Sequence, residues 1–216
     1  MLQVRDLARP PMLKPASFTL PEGTCGVIMG ASGSGKSLLA RAIVDLDPNE
    51  GTVRWRDHVR EATPAPHWRR LVAYVPAETG WWAADVATHF PADAPARAHM
   101  EDWITTLGLK PDILARQVSH LSTGERQRLA LVRALIMAPE MLILDEPTGA
   151  LDAASRNRVE TLMRELLNEG RTLLLITHDA AQARRLGQHF WRLEAGRLTP
   201  ASPPEPEPAN HAEPPA

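Results

Sequence analysis

The stretch Gly30-Ala-Ser-Gly-Ser-Gly-Lys-Ser37, "GASGSGKS", follows directly on the apolar run "CGVIM" (Cys25–Met29). Its reading decides the fold. Glycines let a backbone curl tightly enough that successive N–H groups point inward at an anion. The apolar helical stretch Leu38–Leu46 comes next, and a helix adds its positive N-terminal end to such a cradle. Gly30, Gly35, Lys36 and Ser37 satisfy G-x-x-x-x-G-K-[ST]. In that pattern the lysine reaches the β/γ-phosphates and the hydroxyl binds Mg²⁺. A plain flexible Gly/Ser linker would need neither the strand before it nor the helix after it. The chain is therefore expected to bind a nucleoside triphosphate.

Working outward, "LQVRDL" (Leu2–Leu7) alternates as a half-buried strand does, and "ASFTLPEG" reads as a strand and turn leading into Cys25–Met29. Beyond the helix, "TVRW" is a short strand, "HVREATPAPHW" a loop, and "RRLVAYVP" a buried strand. From Ala77 to about Ser119 no strand pattern remains. Helical pieces, "ADVATHF" and "ARAHMEDWITTLGL", are separated by prolines and end at Gly108, which suggests a small helical insertion. "STGERQRLALVRALIMA" is a long helix, "MLILDEP" an apolar strand, "AASRNRVETLMRELLNEG" an amphipathic helix closed by Gly170, and "TLLLITHD" another buried strand. Strands this apolar, alternating with helices, predict an α/β fold with a parallel sheet covered on both faces. The Pro-, Ala- and Glu-rich stretch 200–216 is expected to be disordered or extended.

Two strand ends carry chemistry. "MLILDEP" puts Asp145 and Glu146 at the carboxyl end of a buried strand, where ligands of open α/β sheets bind. A strand next to the one before the glycine-rich loop would bring Asp145 to Ser37 and its Mg²⁺, with Glu146 positioned to orient or deprotonate an attacking water. "LLLITHD" likewise ends in His178, which at that edge would hydrogen-bond a γ-phosphate oxygen or the water. In "LSTGERQR", Ser122 and Glu125 have capping-box spacing. Gly124 in the first turn is costly for a helix and suits close backbone approach to a ligand.

The chain has 216 residues, a formal net charge of −2 and one cysteine, Cys25. That excludes a disulfide framework and a basic nucleic-acid-binding field. No signal peptide or stretch long enough to span a bilayer is evident, so a soluble protein of a reducing cytosol is expected.

In order and spacing these motifs resemble those of the ATP-binding cassette (ABC) ATPases, over residues 1 to about 199. Gly30–Ser37 resembles Walker A, "LSTGE" the signature motif, "MLILDE" Walker B with Glu146 as catalytic glutamate, "GALD" the D-loop with Asp152, and His178 the switch histidine. The resemblance implies a P-loop NTPase core with an N-terminal antiparallel β-subdomain and an α-helical subdomain at about 78–120. It implies that ATP is held by Gly30, Ala31, Ser32, Gly33, Ser34, Gly35, Lys36, Ser37 and Leu38. Mg²⁺ would lie on Ser37 and Asp145. In a head-to-tail dimer, Ser122, Thr123, Gly124 and Glu125 would contact the other subunit's ATP. A separate membrane permease would be driven from the inner face of the plasma membrane. A soluble non-transport cassette or a weakly hydrolysing regulatory one is the alternative. Ala77 stands where the family has its Q-loop glutamine, with Glu78 beside it as a substitute after a one-residue shift. "LARPPMLK" lacks the family's adenine-stacking aromatic, and Trp81 and Trp82 are either core or part of the permease interface.

Overall fold

Residues 1–205 are described by the structure, a computed structural model. In chain order it contains β1 (Leu2–Arg9), β2 (Leu13–Leu20), β3 (Cys25–Met29), α1 (Lys36–Ile43), β4 (Glu50–Trp55), β5 (His58–Val59), α2 (Ala65–Leu71) and β6 (Val72–Val75). There follow α3 (Met100–Thr106), α4 (Thr123–Leu135), β7 (Met141–Asp145), α5 (Ala153–Asn168), β8 (Thr172–Ile176), α6 (Ala180–Leu186), β9 (His189–Glu194) and β10 (Arg197–Pro200).

Two sheets result. One is antiparallel, in the order β2-β1-β4-β5; the other runs β10-β9-β3-β8-β7-β6 and is parallel except for β10. The parallel strands separate two apolar cores by alternation. Leu142, Leu144, Leu173 and Leu175 face α4, α5 and α6, while Met141, Ile143, Leu174 and Ile176 face α1 and the antiparallel sheet. A fully buried Leu or Ile contributes about 1.5–3 kcal/mol, which is why β7 and β8 are apolar along their length. Helix α1 is sandwiched between the sheets, with Leu39, Ala40, Ala42 and Ile43 buried.

The α/β expectation holds, with four corrections. The stretch read as a loop before β6 contains α2. Its sequence has no helical stripe; Pro66 tolerates the first turn because its missing N–H would be unpaired there, and Trp68, fully buried, donates from Nε1 to Ile43 O at 3.0 Å. Tertiary docking therefore makes this helix. β9 and β10 escaped the sequence reading. They form a hairpin across Ala195 (φ +45°) and Gly196 (φ +74°), the two-residue turn with both φ positive that suits the twist of paired strands. The strand β10 also carries order past Thr199, through Pro200 to Ala201, whose N–H donates to Phe190 O at 2.9 Å. The rest of the proline-rich stretch, residues 206–216, lies outside the described residues.

Finally, β8 lies between β3 and β7, so the strand bearing Asp145 is not the neighbour of the strand before the loop. All three are parallel, so their carboxyl ends still open on one edge. Between about 78 and 120, α3 and several 3-10 turns contribute Val86, Phe90, Met100, Ile104 and Ile113 to the core shared with α4. Trp81 packs on this core, whereas Trp82 is 72% exposed. Among the described residues no helix is long and apolar enough to cross a membrane.

Candidate nucleotide site

The loop after β3 has its conformation imposed by its glycines. A Cβ on Gly30 would sit 2.2 Å from Leu193 O of β9, and Gly33 and Gly35 hold φ of +76° and +104°. Gly35 is the N-cap of α1 and offers no side chain to its first amides. The Lys36 side chain folds back over the loop, with Nζ donating to Gly30 O at 2.7 Å and Ala31 O at 2.9 Å. Lys36 is buried, and among the described residues no carboxylate pairs with it. A buried ammonium held only by neutral carbonyls is an unneutralised charge. The Ser34 Oγ is buried without a partner. The loop thus presents an uncompensated cation and a bare helix end, beside an unpartnered hydroxyl, which is the chemistry that an oligophosphate completes.

On the opposite wall, β7 ends in Asp145, which is 3% exposed. The Tyr74 hydroxyl on β6 donates to Asp145 Oδ2 at 2.9 Å. Burial, and then the charge of Asp145, push the Tyr74 phenol up, so it is a neutral donor. The Ser37 hydroxyl neighbours the same phenol.

Glu146 has φ +47°, a conformation uncommon for a residue with a side chain. Its N–H donates to Ile176 O at 2.9 Å, while its carbonyl accepts from Gln127 Nε2 at 2.7 Å and from Gly149 N–H at 3.2 Å. These bonds from β8, α4 and the following turn hold the strained residue. Its Oε2 lies 2.9 Å from His178 Nδ1. His178 follows β8 and is largely exposed; the next residue, Asp179, caps α6 through Gln182 N–H.

Together these residues line one cleft of about 710 Å³, with walls that include Lys36, Ser37, Asp145, Glu146 and His178. Ala31, Ser32, Gly33 and Leu38 join the same lining, and Ser34 faces an adjoining hollow toward Arg192. Ala77 also lines the cleft, whereas Glu78 is exposed and outside that lining. Three contributors were missed in the sequence. Met12, 60% exposed at the cleft mouth, is the large apolar residue that "LARPPMLK" leaves exposed, since Leu7, Ala8 and Leu13 are buried. Tyr74 was legible only as part of a strand. Gln127 is an amide on a buried helix position, a signal that could have flagged it.

The segment Ser122–Glu125 is not part of this cleft. Ser122 Oγ accepts from Glu125 N–H at 3.2 Å, and Glu125 Oε2 accepts from Ser122 N–H at 2.8 Å, so the capping box closes as its spacing predicts. Burial pushes the Glu125 carboxyl up, but the Ser122 hydrogen bonds and the Arg116 guanidinium outweigh it and hold it below the usual range. A Cβ on Gly124 would lie 3.1 Å from Leu151, so this glycine accommodates the chain's own turn before α5. Thr123 is exposed. Asp152 is the N-cap of α5, accepting from Ser155 N–H at 2.8 Å, a bond that holds its carboxyl low.

The donor set suits Mg²⁺. Among the described residues no cluster of three or more His, Cys, Asp or Glu side chains could cage a metal, but one carboxylate and one hydroxyl beside a phosphate site are how Mg²⁺ is usually held.

The chain is similar to known proteins. An Fe(3+) ions import ATP-binding protein of Rhodococcus jostii is 32% identical over 201 residues, covering 89% of this chain and 58% of that protein. A sulfate/thiosulfate import ATP-binding protein of Mycobacterium bovis is 34% identical over 198 residues, covering 87% and 56%. The chain thus spans little more than half the length of these relatives. A solved structure described as the ATP binding subunit of an ABC transporter superposes with a TM-score of 0.82 at 24% identity, over 92% of this chain and 89% of that one. The family described as ABC transporter matches residues 13–149, a segment that contains Lys36, Ser37, Asp145 and Glu146 of the cleft. On that match the chain belongs to the ABC transporter family.

Proposed function

We propose that this chain is the ATP-binding and ATP-hydrolysing subunit of an ABC transporter, pairing head to tail with a second copy around two Mg-ATP and driving separate membrane subunits. The observation that carries this is the convergence of Lys36, Ser37, Asp145, Glu146 and His178 on one cleft. Lys36 would exchange its two loop carbonyls for β/γ-phosphate oxygens, with the amides of residues 31–37 completing the cradle. Ser37 and Asp145 would hold Mg²⁺, which neutralises charge on the phosphate oxygens. Glu146 would accept the proton of the attacking water or orient it, and His178 would hold the Glu146 carboxylate and the γ-phosphate in register. Met12 would lie against the base in place of an aromatic ring. Ser122, Thr123, Gly124 and Glu125, turned away from the chain's own cleft, would close the partner copy's site, with Asp152 alongside. The relatives' names, import ATP-binding proteins, support uptake as the direction, and the proposed role puts the chain at the cytoplasmic face of the membrane, against the permease.

Glu146→Gln tests the reading. Removing the carboxylate should leave ATP binding intact and lower turnover by about 10²–10⁴-fold, the range for loss of a general base. Normal steady-state hydrolysis by this variant would overturn the assignment.

A further inference from the structure

Ala77 lines the cleft with a methyl group and supplies no polar anchor on the β6 side. We propose that Tyr74 is the anchor there, a positioning residue that holds Asp145 in its metal-binding orientation. This rests on the Mg-ATP reading of the cleft.

Asp145 ends a strand and is almost fully buried, yet its backbone ladder to Ile176 does not fix its carboxylate. Among the described residues the Tyr74 hydroxyl, at 2.9 Å from Oδ2, is the one hydrogen bond to that carboxylate. It leaves Oδ1 for a cation. A donor of this kind is useful only if it is itself fixed. Tyr74 pairs with Ile143 in the β6–β7 ladder, and its ring packs against the core formed by α1 and the antiparallel sheet. The phenol therefore reaches the carboxylate from a rigid base. Outer partners that orient a ligating carboxylate typically change metal affinity 10- to 100-fold when removed. Here the effect falls on the metal and not on the phosphate cradle, since Lys36 and the loop amides lie on the other wall.

Tyr74→Phe deletes the hydroxyl and keeps the ring. The variant and its parent are compared in a Glu146→Gln background, which preserves bound ATP. ATP affinity is measured in EDTA. Mn²⁺ affinity of the ATP-loaded protein, with ATP below the protein concentration, is read from the free Mn²⁺ signal by electron paramagnetic resonance. The expected result is Mn²⁺ binding weaker by roughly tenfold, with ATP affinity in EDTA changed less than about twofold. Unchanged Mn²⁺ affinity would overturn the proposal. So would a parallel loss of ATP affinity in EDTA, which would mark general damage to the fold. A parent protein that binds ATP but takes up no Mn²⁺ would instead overturn the Mg-ATP reading of the cleft.

Discussion

Two helices in this molecule begin at glycine-containing motifs, and their first turns are built in opposite ways. Helix α1 starts at Gly35, with no capping side chain and no acidic residue in its first turn, and its first residue is the buried, unpaired Lys36. Helix α4 starts at Ser122 with a closed capping box, and the Glu125 carboxylate already sits in its positive end, bridged to Arg116. Among the described residues the first-turn amides of α1 have no capping side chain, while a capping box pairs the N–H groups of Ser122 and Glu125 at the start of α4. The contrast teaches that a glycine-rich helix start is not one kind of site. The start of α1 leaves its first amides open to an anion. α4 is stable alone and has only its earliest N–H groups left to offer, as a surface that contacts a ligand held elsewhere would.

The comparison breaks most sharply at Lys36. Lys36→Ala should weaken ATP binding by about 10- to 100-fold, because charge-assisted hydrogen bonds of about 1.5–3 kcal/mol are lost; calorimetric titration would show it, and unchanged affinity would mean that α1 is not the anion site. At the other helix the same measurement should hardly move. Ser122→Ala should instead cost about 1 kcal/mol of stability through the lost cap, or roughly 2–4 °C in melting temperature for a domain of this size. A large loss of ATP affinity in the isolated chain would erase the distinction between the two helices.

The smallest effect concerns pH. The folded-state Glu125 carboxyl lies below its ordinary value, so its contribution is complete above the ordinary carboxylate range and is lost as the pH falls through the lowered value. The melting-temperature gap between the parent and Glu125→Gln should therefore shrink between neutral pH and about pH 3. A gap that widens on acidification would contradict the capping-box electrostatics. Helix α1, with no carboxylate in its first turn, contributes no such term.

The sequence was informative wherever local chemistry is sufficient. Gly30–Ser37 needs positive φ and close approach, and only glycine allows both, so the pattern is visible residue by residue. The apolar runs at β3, β7 and β8 are buried on both faces, which period and composition reveal directly. Ser122 and Glu125 interact three residues apart, so their box was legible without any tertiary context. Tertiary structure decided the rest. α2 exists because Trp68 finds a pocket and an acceptor at Ile43 O, which no local periodicity announces. The order β3-β8-β7 depends on which buried faces match across the sheet, and three nearly identical apolar strands carry no label for their neighbours. Tyr74 meets Asp145 across 71 residues of chain, and Gln127 meets the Glu146 carbonyl across 19. The sequence by itself determined the loop, the strand-end carboxylates and the capping box, because backbone conformation and short-range spacing are local properties. Which of them touch was decided only when the sheet was assembled, because long-range hydrogen bonds depend on strand order and packing that single residue types do not encode.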